Sequence, residues 1–303
     1  MKRLVLLSLI WMSFSCIILS CGEDDIYVPE QHDIDVPKQQ DTSPPLLVKF
    51  YMAQNSNSGF LQGSAAWNGV HFQFTDRNST VFINDLNNKS FVQEVNLSGK
   101  NTNHCNNASF SNILYDPNDM FPLIYVSGSK DGTYNHVQVY RIKKDSENNF
   151  SIIQVQEITL PKGTYDNEWH WTQVAIDNTN NYLYVYSSNK EEHIYKFNIP
   201  NIHDENISLT EADVLEEFSL SPLYHPQGMT IKDDKLFILF GAGGGDINYL
   251  QVINLNNKTV EEVFNLSKMG FANYEFEGIS VYNNELIIAS NFNKGLYSVS
   301  ICN

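Results

Sequence analysis

The chain has 303 residues, of which 42% are hydrophobic and 13% are aromatic, and its formal net charge at pH 7 is −16. Its Lys and Arg residues do not cluster, so binding to a nucleic-acid phosphate backbone is disfavoured. Residues 46–303 are long enough to bury one large core, and single all-β domains of this size are common.

The first twenty residues, MKRLVLLSLIWMSFSCIILS, predict a secretory signal peptide, because two positive charges precede a short apolar stretch. This segment ends with Ser20 before Cys21 and resembles the lipobox of bacterial lipoproteins, in which the cysteine becomes the lipidated N-terminus. The resemblance implies that Cys21 is lipidated. The alternatives are a simple signal peptide cleaved nearby and an uncleaved anchor.

Residues 21–45 predict a flexible tether, because an acidic, proline-bearing segment with few apolar residues cannot bury a core. The residues GEDD after Cys21 resemble the surface-export signal of Bacteroidota lipoproteins, with an ordinary acidic tether as the alternative. We therefore expect a lipid-anchored protein of the outer membrane, exposed at the cell surface, that contacts the membrane through its lipid alone.

Residues 46–303 predict an all-β domain. Short runs rich in β-branched and aromatic residues, such as TVFIN, YLYVYSS and KLFILF, are separated by turns rich in Asn, Asp and Gly. Five segments share one register, and they begin F60-L-Q-G, H104-C-N-N, H170-W-T-Q, H225-P-Q-G and E275-F-E-G. Their spacings of 44, 66, 55 and 50 residues predict a β-propeller, in which each unit has three or four strands.

The five starts predict five blades. The last one, 275–303, has room for about three strands, so we expect the strand at 46–53 to supply its missing outer strand and leave no open edge. Six blades are the alternative, since the second unit is long enough to contain an extra short one. A β-sandwich would not explain the common register.

The first strand of a propeller blade lines the central axis, so the five starts should surround one mouth of the channel. A first ring of side chains comprises Phe60, His104, His170, His225 and Glu275. A second ring, two residues further on, comprises Gln62, Asn106, Thr172, Gln227 and Glu277.

These rings support three interpretations. In the first, the polar side chains satisfy only backbone groups and channel waters. In the second, they bind a ligand: Phe60, Trp169 and Trp171 stack on a sugar, while Gln62, Asn106, Thr172 and Gln227 contact its hydroxyl groups. In the third, His104, His225 and Glu277 hold one divalent cation, Zn, Mn or Ca, and His170, His225 and Glu275 act in catalysis.

Three of these segments, HCNNASF, HPQGMTI and FEGISVYNNELIIA, resemble the blade starts of the teichoic-acid-biosynthesis-protein-C-like propellers, which include five-bladed phage receptor-binding platforms. Glu277 and Asn106 are also similar in kind to the Glu and Asn that hold a divalent cation on the axis of gluconolactonase-like propellers. Gln62, Thr172 and Gln227 depart from that ligand pattern.

The expected function is that of a surface lipoprotein that binds an extracellular glycan or cell-envelope polymer at the axial mouth. One alternative is a metal-dependent hydrolase, lactonase or lyase that uses the His and Glu ring. The other is a protein-interaction platform that binds through its blade edges. An outer-membrane protein is a further candidate partner. Cys105 and Cys302 lie at opposite ends of the predicted sheets, so we expect them not to form a disulfide.

Overall fold

The computed structural model describes residues 46–54, 61–76, 79–98, 103–130, 133–161, 172–187, 192–220, 223, 225–243, 245–291 and 295–301. The predicted signal peptide, the lipidation site Cys21, the predicted tether and Cys302 lie outside these residues. Within the described part of the chain, no helix has the length and apolar character needed to cross a membrane.

Strands make up nearly all the regular structure of the described residues. The first eleven are β1 (Leu46–Ala53), β2 (Leu61–Trp67), β3 (Val70–Thr75), β4 (Thr80–Asp85), β5 (Ser90–Ser98), β6 (Asn103–Phe110), β7 (Ile124–Lys130), β8 (Thr133–Lys144), β9 (Phe150–Thr159), β10 (Gln173–Asp177) and β11 (Tyr182–Ser187). The next are β12 (Glu192–Asn198), β13 (Asn206–Ser208), β14 (Glu216–Leu220), β15 (Pro226–Lys232), β16 (Lys235–Phe240), β17 (Tyr249–Asn254), β18 (Thr259–Asn265), β19 (Phe276–Tyr282), β20 (Glu285–Ser290) and β21 (Gly295–Ile301). Two short 3-10 helices span Glu211–Asp213 and Ser267–Met269.

The described strands group into five four-stranded antiparallel units, which confirms the predicted all-β propeller fold. In chain order the units are β2–β3–β4–β5, β6–β7–β8–β9, β10–β11–β12–β14, β15–β16–β17–β18 and β19–β20–β21–β1. Parallel pairing of β5 with β9 joins the outer strands of the first two units, and β13 also pairs with β9. The outer edge of the second unit is therefore covered.

The N-terminal strand closes the last unit, as predicted. β1 pairs antiparallel with β21, from Leu46 opposite Ile301 to Ala53 opposite Gly295, with a bulge between Phe50 and Met52. The side chain of Met52 joins an apolar cluster between the fifth and first units. This pairing gives β21 a second neighbour, so the last strand of the chain is not an open edge.

The first strands of the units form a closed ring. β2, β6, β10, β15 and β19 contact one another in that order, and β19 contacts β2. The approach is close: a Cβ added to Gly63 would lie 2.4 Å from the Cα of Asn107. The Asn107 side chain donates from Nδ2 to the carbonyls of Val174, at 2.6 Å, and Met229, at 2.8 Å, so it ties β6 to β10 and β15.

Apolar side chains fill the spaces between neighbouring units. Five buried clusters occupy the five interfaces, and the one between the first and second units contains Phe72 in edge-on contact with Phe110 and Phe121. Most of the buried aromatic residues therefore belong to the core, where such ring pairs add to the stabilisation from burial. Cys105 is a free, buried thiol in the first of these clusters.

Candidate functional site

Four of the five predicted side chains of the second ring lie on irregularities of the inner strands. The pairing register shifts between Leu61 and Ser64, and also between Asn103 and Asn107, between Pro226 and Gly228 and between Phe276 and Gly278. A β-bulge redirects the side chains at the shift, and bulges are common beside functional sites. The residues at these shifts are the predicted Gln62, Asn106, Gln227 and Glu277.

Most of the second ring is buried, although every member is polar. Gln62, Asn106, Thr172 and Glu277 are buried, and Gln227 is half-buried. Asn106 donates from Nδ2 to the carbonyl of Thr172 at 3.4 Å, which links the second and third units. The structure therefore places the predicted second ring at one end of the inner strands.

Backbone hydrogen bonds hold the described members of the first ring. His104 donates its N–H to the Asp76 carbonyl at 2.9 Å, and the carbonyl of Glu275 accepts from the N–H of Asn291 at 2.8 Å. His104 and His225 have φ angles of 55° and 52°, in the left-handed region that few residues other than glycine adopt. Backbone strain of this kind is frequent at functional sites.

The other predicted members of the site, Phe60, Trp169, His170 and Trp171, lie outside the described residues. Their roles in stacking and catalysis stay predictions.

The carboxyl groups of Glu275 and Glu277 influence each other's ionisation at this mouth. Asn291 donates from Nδ2 to Oε2 of Glu275 at 2.7 Å, and its Oδ1 accepts the backbone N–H of Leu61 at 3.0 Å. The side chain of Gln62 also acts on the carboxyl group of Glu277 and favours its charged form. The pair is thus held by groups from both the fifth and the first units.

Burial raises the pKa of Glu277 well above its usual range, and the nearby charges of Glu275 and Asp76 raise it further, against a smaller opposing effect of the Gln62 side chain. The pKa of Glu275 is also raised by burial, while the hydrogen bond from Asn291 and the interaction with Glu277 act in the opposite direction. Two carboxyl groups in contact cannot both ionise easily. The pair therefore retains a proton to a higher pH than an ordinary carboxyl group does.

His104 and Cys105 lie close to the same group of charges. Burial lowers the pKa of His104, and the charge of Asp76 opposes that shift. Burial raises the pKa of the Cys105 thiol to about 12, and Asp76 contributes in the same direction. The imidazole therefore tends to remain neutral, and the thiol is not a nucleophile near neutral pH.

His225 forms a second acid–base contact in the fourth unit. Its Nδ1 lies 2.7 Å from Oδ2 of Asp246, which also accepts the N–H of Ala242 at 3.1 Å. Asp246 follows the glycine-rich segment 241–245, where Gly241 and Gly245 have φ angles of 111° and 123°. This loop therefore positions a carboxylate against a half-exposed histidine.

Three residues of the site were not predicted from the sequence: Asp76, Asp246 and Asn291. Asp76 and Asn291 share a signal, since each is the first residue after the second strand of its unit. That strand runs back towards the mouth, so the residue after it returns to the level of the first ring. In the fourth unit, the first residue after the second strand is Gly241, and its N–H donates to the His225 carbonyl at 2.9 Å.

The predicted metal ligands His104, His225 and Glu277 are all among the described residues. In that part of the chain, no group of three or more His, Cys, Asp or Glu side chains is placed to hold a metal ion. The groups present at the mouth instead suit hydrogen bonding and proton transfer.

A separate cleft of about 460 Å³ lies between the fourth and fifth units, at the opposite ends of the inner strands. The turns around Lys232 and Asn283 line it, together with the end of β21. Its lysines are paired within the protein, Lys232 with Asp233 and Lys235 with Glu261. The cleft is therefore distinct from the mouth that the two rings surround.

Comparison with solved structures supports the fold. A glutaminyl cyclase from Myxococcus xanthus matches with a TM-score of 0.54 and 11% identity, over 85% of this chain and 97% of that chain. The PQQ-bound form of an aldose sugar dehydrogenase from Streptomyces coelicolor matches with a TM-score of 0.51 and 9% identity, over 85% of this chain and 100% of that chain. No protein-family model and no curated protein matches the chain. At these identities the two likenesses show the propeller fold alone.

Proposed function

We propose that this protein binds a small extracellular ligand at the axial mouth formed by the two rings. The observation that supports this proposal is the carboxyl group of Glu277. The residue is 2% exposed, and its Oε2 has no hydrogen-bond partner among the described residues. Leaving a buried polar atom without a partner costs about 1–3 kcal/mol, so a ligand or water that donates to this oxygen would be stabilised at the mouth.

The proposed ligand is a glycan or a cell-envelope polymer. Amide, imidazole and carboxyl groups can all hydrogen-bond to sugar hydroxyls, and Gln62, Asn106, Gln227, His104 and Glu277 supply these groups at one mouth. The neighbour named as an aldose sugar dehydrogenase associates a sugar with this fold, which supports the proposal only by analogy.

The proposed location is the outer surface of the outer membrane, with a lipid on Cys21 and no other membrane contact. The signal peptide, the lipobox resemblance and the acidic residues after Cys21 support it. Metabolic labelling with a fatty acid tests the anchor: the wild-type chain should be labelled and the Cys21→Ser variant should not. Equal labelling of the two would overturn it.

The second candidate is an enzyme that uses the Glu275 and Glu277 pair for proton transfer, in a hydrolase, lactonase or lyase reaction. The raised pKa of Glu277 favours it, because buried carboxyl groups with shifted pKa values are common among catalytic acids and bases. A divalent cation, as in the gluconolactonase-like resemblance, does not fit the described side chains as a ready-made ligand set. No step of this candidate passes through a metal.

Binding to a glycan array and to isolated envelope polymers tests the proposed function. We expect Gln62→Ala and Glu277→Gln to weaken binding at least 10-fold, because both remove groups at the mouth. Val260→Ala is the matched control, since Val260 is exposed on the outer strand β18. Loss of binding in the control, with both mouth variants unaffected, would overturn the axial site and favour a protein-interaction platform at the blade edges.

A further inference from the structure

We propose that His225 and Asp246 form a catalytic dyad that hydrolyses a carboxylic ester at the axial mouth. His225 is the catalytic base of this dyad, and Asp246 is a positioning residue. The activity goes beyond the proposed binding function and depends on neither Gln62 nor Glu277. His225 was among the predicted catalytic residues, and the structure supplies the partner that gives it a defined role.

A short hydrogen bond defines the dyad. Nδ1 of His225 lies 2.7 Å from Oδ2 of Asp246. An ionised carboxyl group only accepts hydrogen bonds, so Nδ1 carries the proton when the ring is neutral. The lone pair then lies on Nε2, which is the nitrogen able to take a proton from another molecule.

The dyad is accessible to a substrate. The side chains of His225 and Asp246 are 49% and 41% exposed, whereas His71 is completely buried. A Cβ added to Gly245, the residue before Asp246, would meet no described atom within 4 Å. The pair therefore borders open space, as a catalytic pair must.

Backbone hydrogen bonds hold Asp246 against the ring. The N–H of Ala242 donates to Oδ2 of Asp246 at 3.1 Å, so the oxygen that faces the ring is itself fixed. The N–H of Asp246 donates to the Gly243 carbonyl at 3.1 Å, and the N–H of Gly241 donates to the His225 carbonyl at 2.9 Å. The loop is thus joined both to itself and to the residue that it serves.

The buried residue Asn248 anchors this loop to the core. Its Nδ2 group donates to the carbonyls of Phe271 and Tyr274, both at 2.7 Å. A Cβ added to Gly241 would lie 2.4 Å from Oδ1 of Asn248, so the loop packs directly on this anchor. An exposed ion pair adds little to stability, whereas a catalytic pair needs surrounding groups that fix its geometry. This degree of support therefore favours a catalytic role.

The proposed reaction needs one water molecule and no other reactant. The water oxygen bonds to the carbonyl carbon of the ester while one of its protons moves to Nε2 of His225. The bond from that carbon to the alcohol oxygen then breaks, and Nε2 returns the proton to the leaving oxygen. The products are a carboxylic acid and an alcohol. Asp246 stabilises the imidazolium that exists between the two proton transfers.

An ester suits this dyad better than a glycoside. Ester hydrolysis can use a single group that first takes a proton and then returns it, whereas most glycosidases need two carboxyl groups that flank the bond. Negative charge also develops on the ester carbonyl oxygen. The N–H groups of Gly243 and Gly245 have no hydrogen-bond partner among the described residues, so they are available as donors beside the dyad.

Hydrolysis of p-nitrophenyl acetate by the full-length chain in detergent tests this inference. We expect wild-type turnover to saturate with substrate, and kcat to fall by about 2-fold in D2O because a proton moves in the rate-limiting step. His225→Gln should lower kcat/KM by about 100-fold. Asp246→Ala should lower kcat by about 10-fold and leave KM nearly unchanged, because it removes a positioning group and no substrate contact.

His203→Gln is the matched control, since His203 is an exposed histidine remote from the dyad in sequence and its loss should leave the rate unchanged. Because His225 and Asp246 are half-exposed, their variants should fold, and circular dichroism checks this. A second control uses p-nitrophenyl β-D-glucoside, which has the same chromophore and a glycosidic bond in place of the ester. The wild type should not cleave it.

Nitrogen NMR of the chain labelled with 15N-histidine at pH 8 gives a measurement that needs no substrate. His225, assigned through the signal lost in His225→Gln, should carry its proton on Nδ1 in the wild type. In Asp246→Ala the proton should move largely to Nε2, because the acceptor of the Nδ1 proton is gone.

Several results would overturn the inference. These are hydrolysis no faster than in buffer, equal rates in the wild type and His225→Gln, and a wild-type His225 ring with its proton on Nε2. Cleavage of the glucoside without cleavage of the acetate would overturn the ester as the substrate class. None of these results bears on glycan binding, which the Gln62→Ala and Glu277→Gln variants test separately.

Discussion

His71 offers a direct test of the packing of the first unit. It lies on β3 with 0% exposure, opposite Ala66 and Asn84 in the neighbouring strands, and neither ring nitrogen has a hydrogen-bond partner among the described residues. Burial lowers the pKa of His71 to about 3. The folded chain therefore keeps the ring neutral at pH values where the unfolded chain protonates it.

The sign and the size of the effect follow from this difference. The unfolded chain takes up a proton at His71 near pH 6.5, and the folded chain does so only near pH 3. The stabilisation is complete above pH 6.5 and is lost as the pH falls, at about 1.4 kcal/mol per pH unit. Between pH 8 and pH 5, His71 should therefore lower the free energy of unfolding by about 2 kcal/mol.

Urea unfolding followed by tryptophan fluorescence at pH 8 and pH 5 measures this loss. We expect the His71→Leu variant to lose about 2 kcal/mol less than the wild type over that interval, because leucine does not titrate. The control is His203→Leu, at an exposed histidine, which should follow the wild type. Parallel pH dependences of His71→Leu and the wild type would refute the inference that the ring is buried and neutral.

Three further predictions concern other parts of the fold. Gly63→Ala should lower the free energy of unfolding by about 3 kcal/mol, because the new Cβ would meet the backbone of Asn107, and a loss below about 1 kcal/mol in urea unfolding would contradict this close approach. Cys105 should not be alkylated at pH 8 below the unfolding transition, because the thiol is buried and its pKa is about 12. Mass spectrometry measures the labelling, and rapid labelling of the native chain would refute this. Arg141→Gln should lower the free energy of unfolding by about 2 kcal/mol, because the guanidinium contacts both carboxylate oxygens of Asp119, at 2.6 Å and 2.8 Å. If the pair acts as a unit, the double variant with Asp119→Asn should lose little more stability than Arg141→Gln alone.

The mouth of the propeller shows which features local sequence can predict. Gln62, Asn106 and Gln227 were predicted because the start of each inner strand repeats along the chain, and a repeat is visible without knowledge of the fold. Asp76, Asp246 and Asn291 were not predicted. Asp76 and Asn291 reach the mouth from the ends of second strands, and Asp246 reaches it from a loop. The pairing register between the first and second strands of a unit decides which of these residues lies beside the start of the first strand.

The protonation of Glu275 and Glu277 shows a second limit. The sequence E275-F-E277 places two carboxyl groups near each other, but it does not indicate whether either is charged. Their state depends on burial, and for Glu277 also on Gln62 and on the charge of Asp76, both of which belong to another unit and are distant along the chain. Desolvation and charge interactions act through space, so the packed structure alone decides them.

The sequence by itself determined the all-β class, the repeated units and the closure of the last unit by β1. These features follow from strand periodicity, from turn residues and from the need to leave no sheet edge open, all of which are local or repeated along the chain. The tertiary structure alone decided how closely the inner strands approach at Gly63 and Asn107, that His71 is buried without a partner, and that Glu277 is buried beside two other carboxyl groups. Each of these depends on contacts between residues of different strands, and such contacts exist only once the ring has closed.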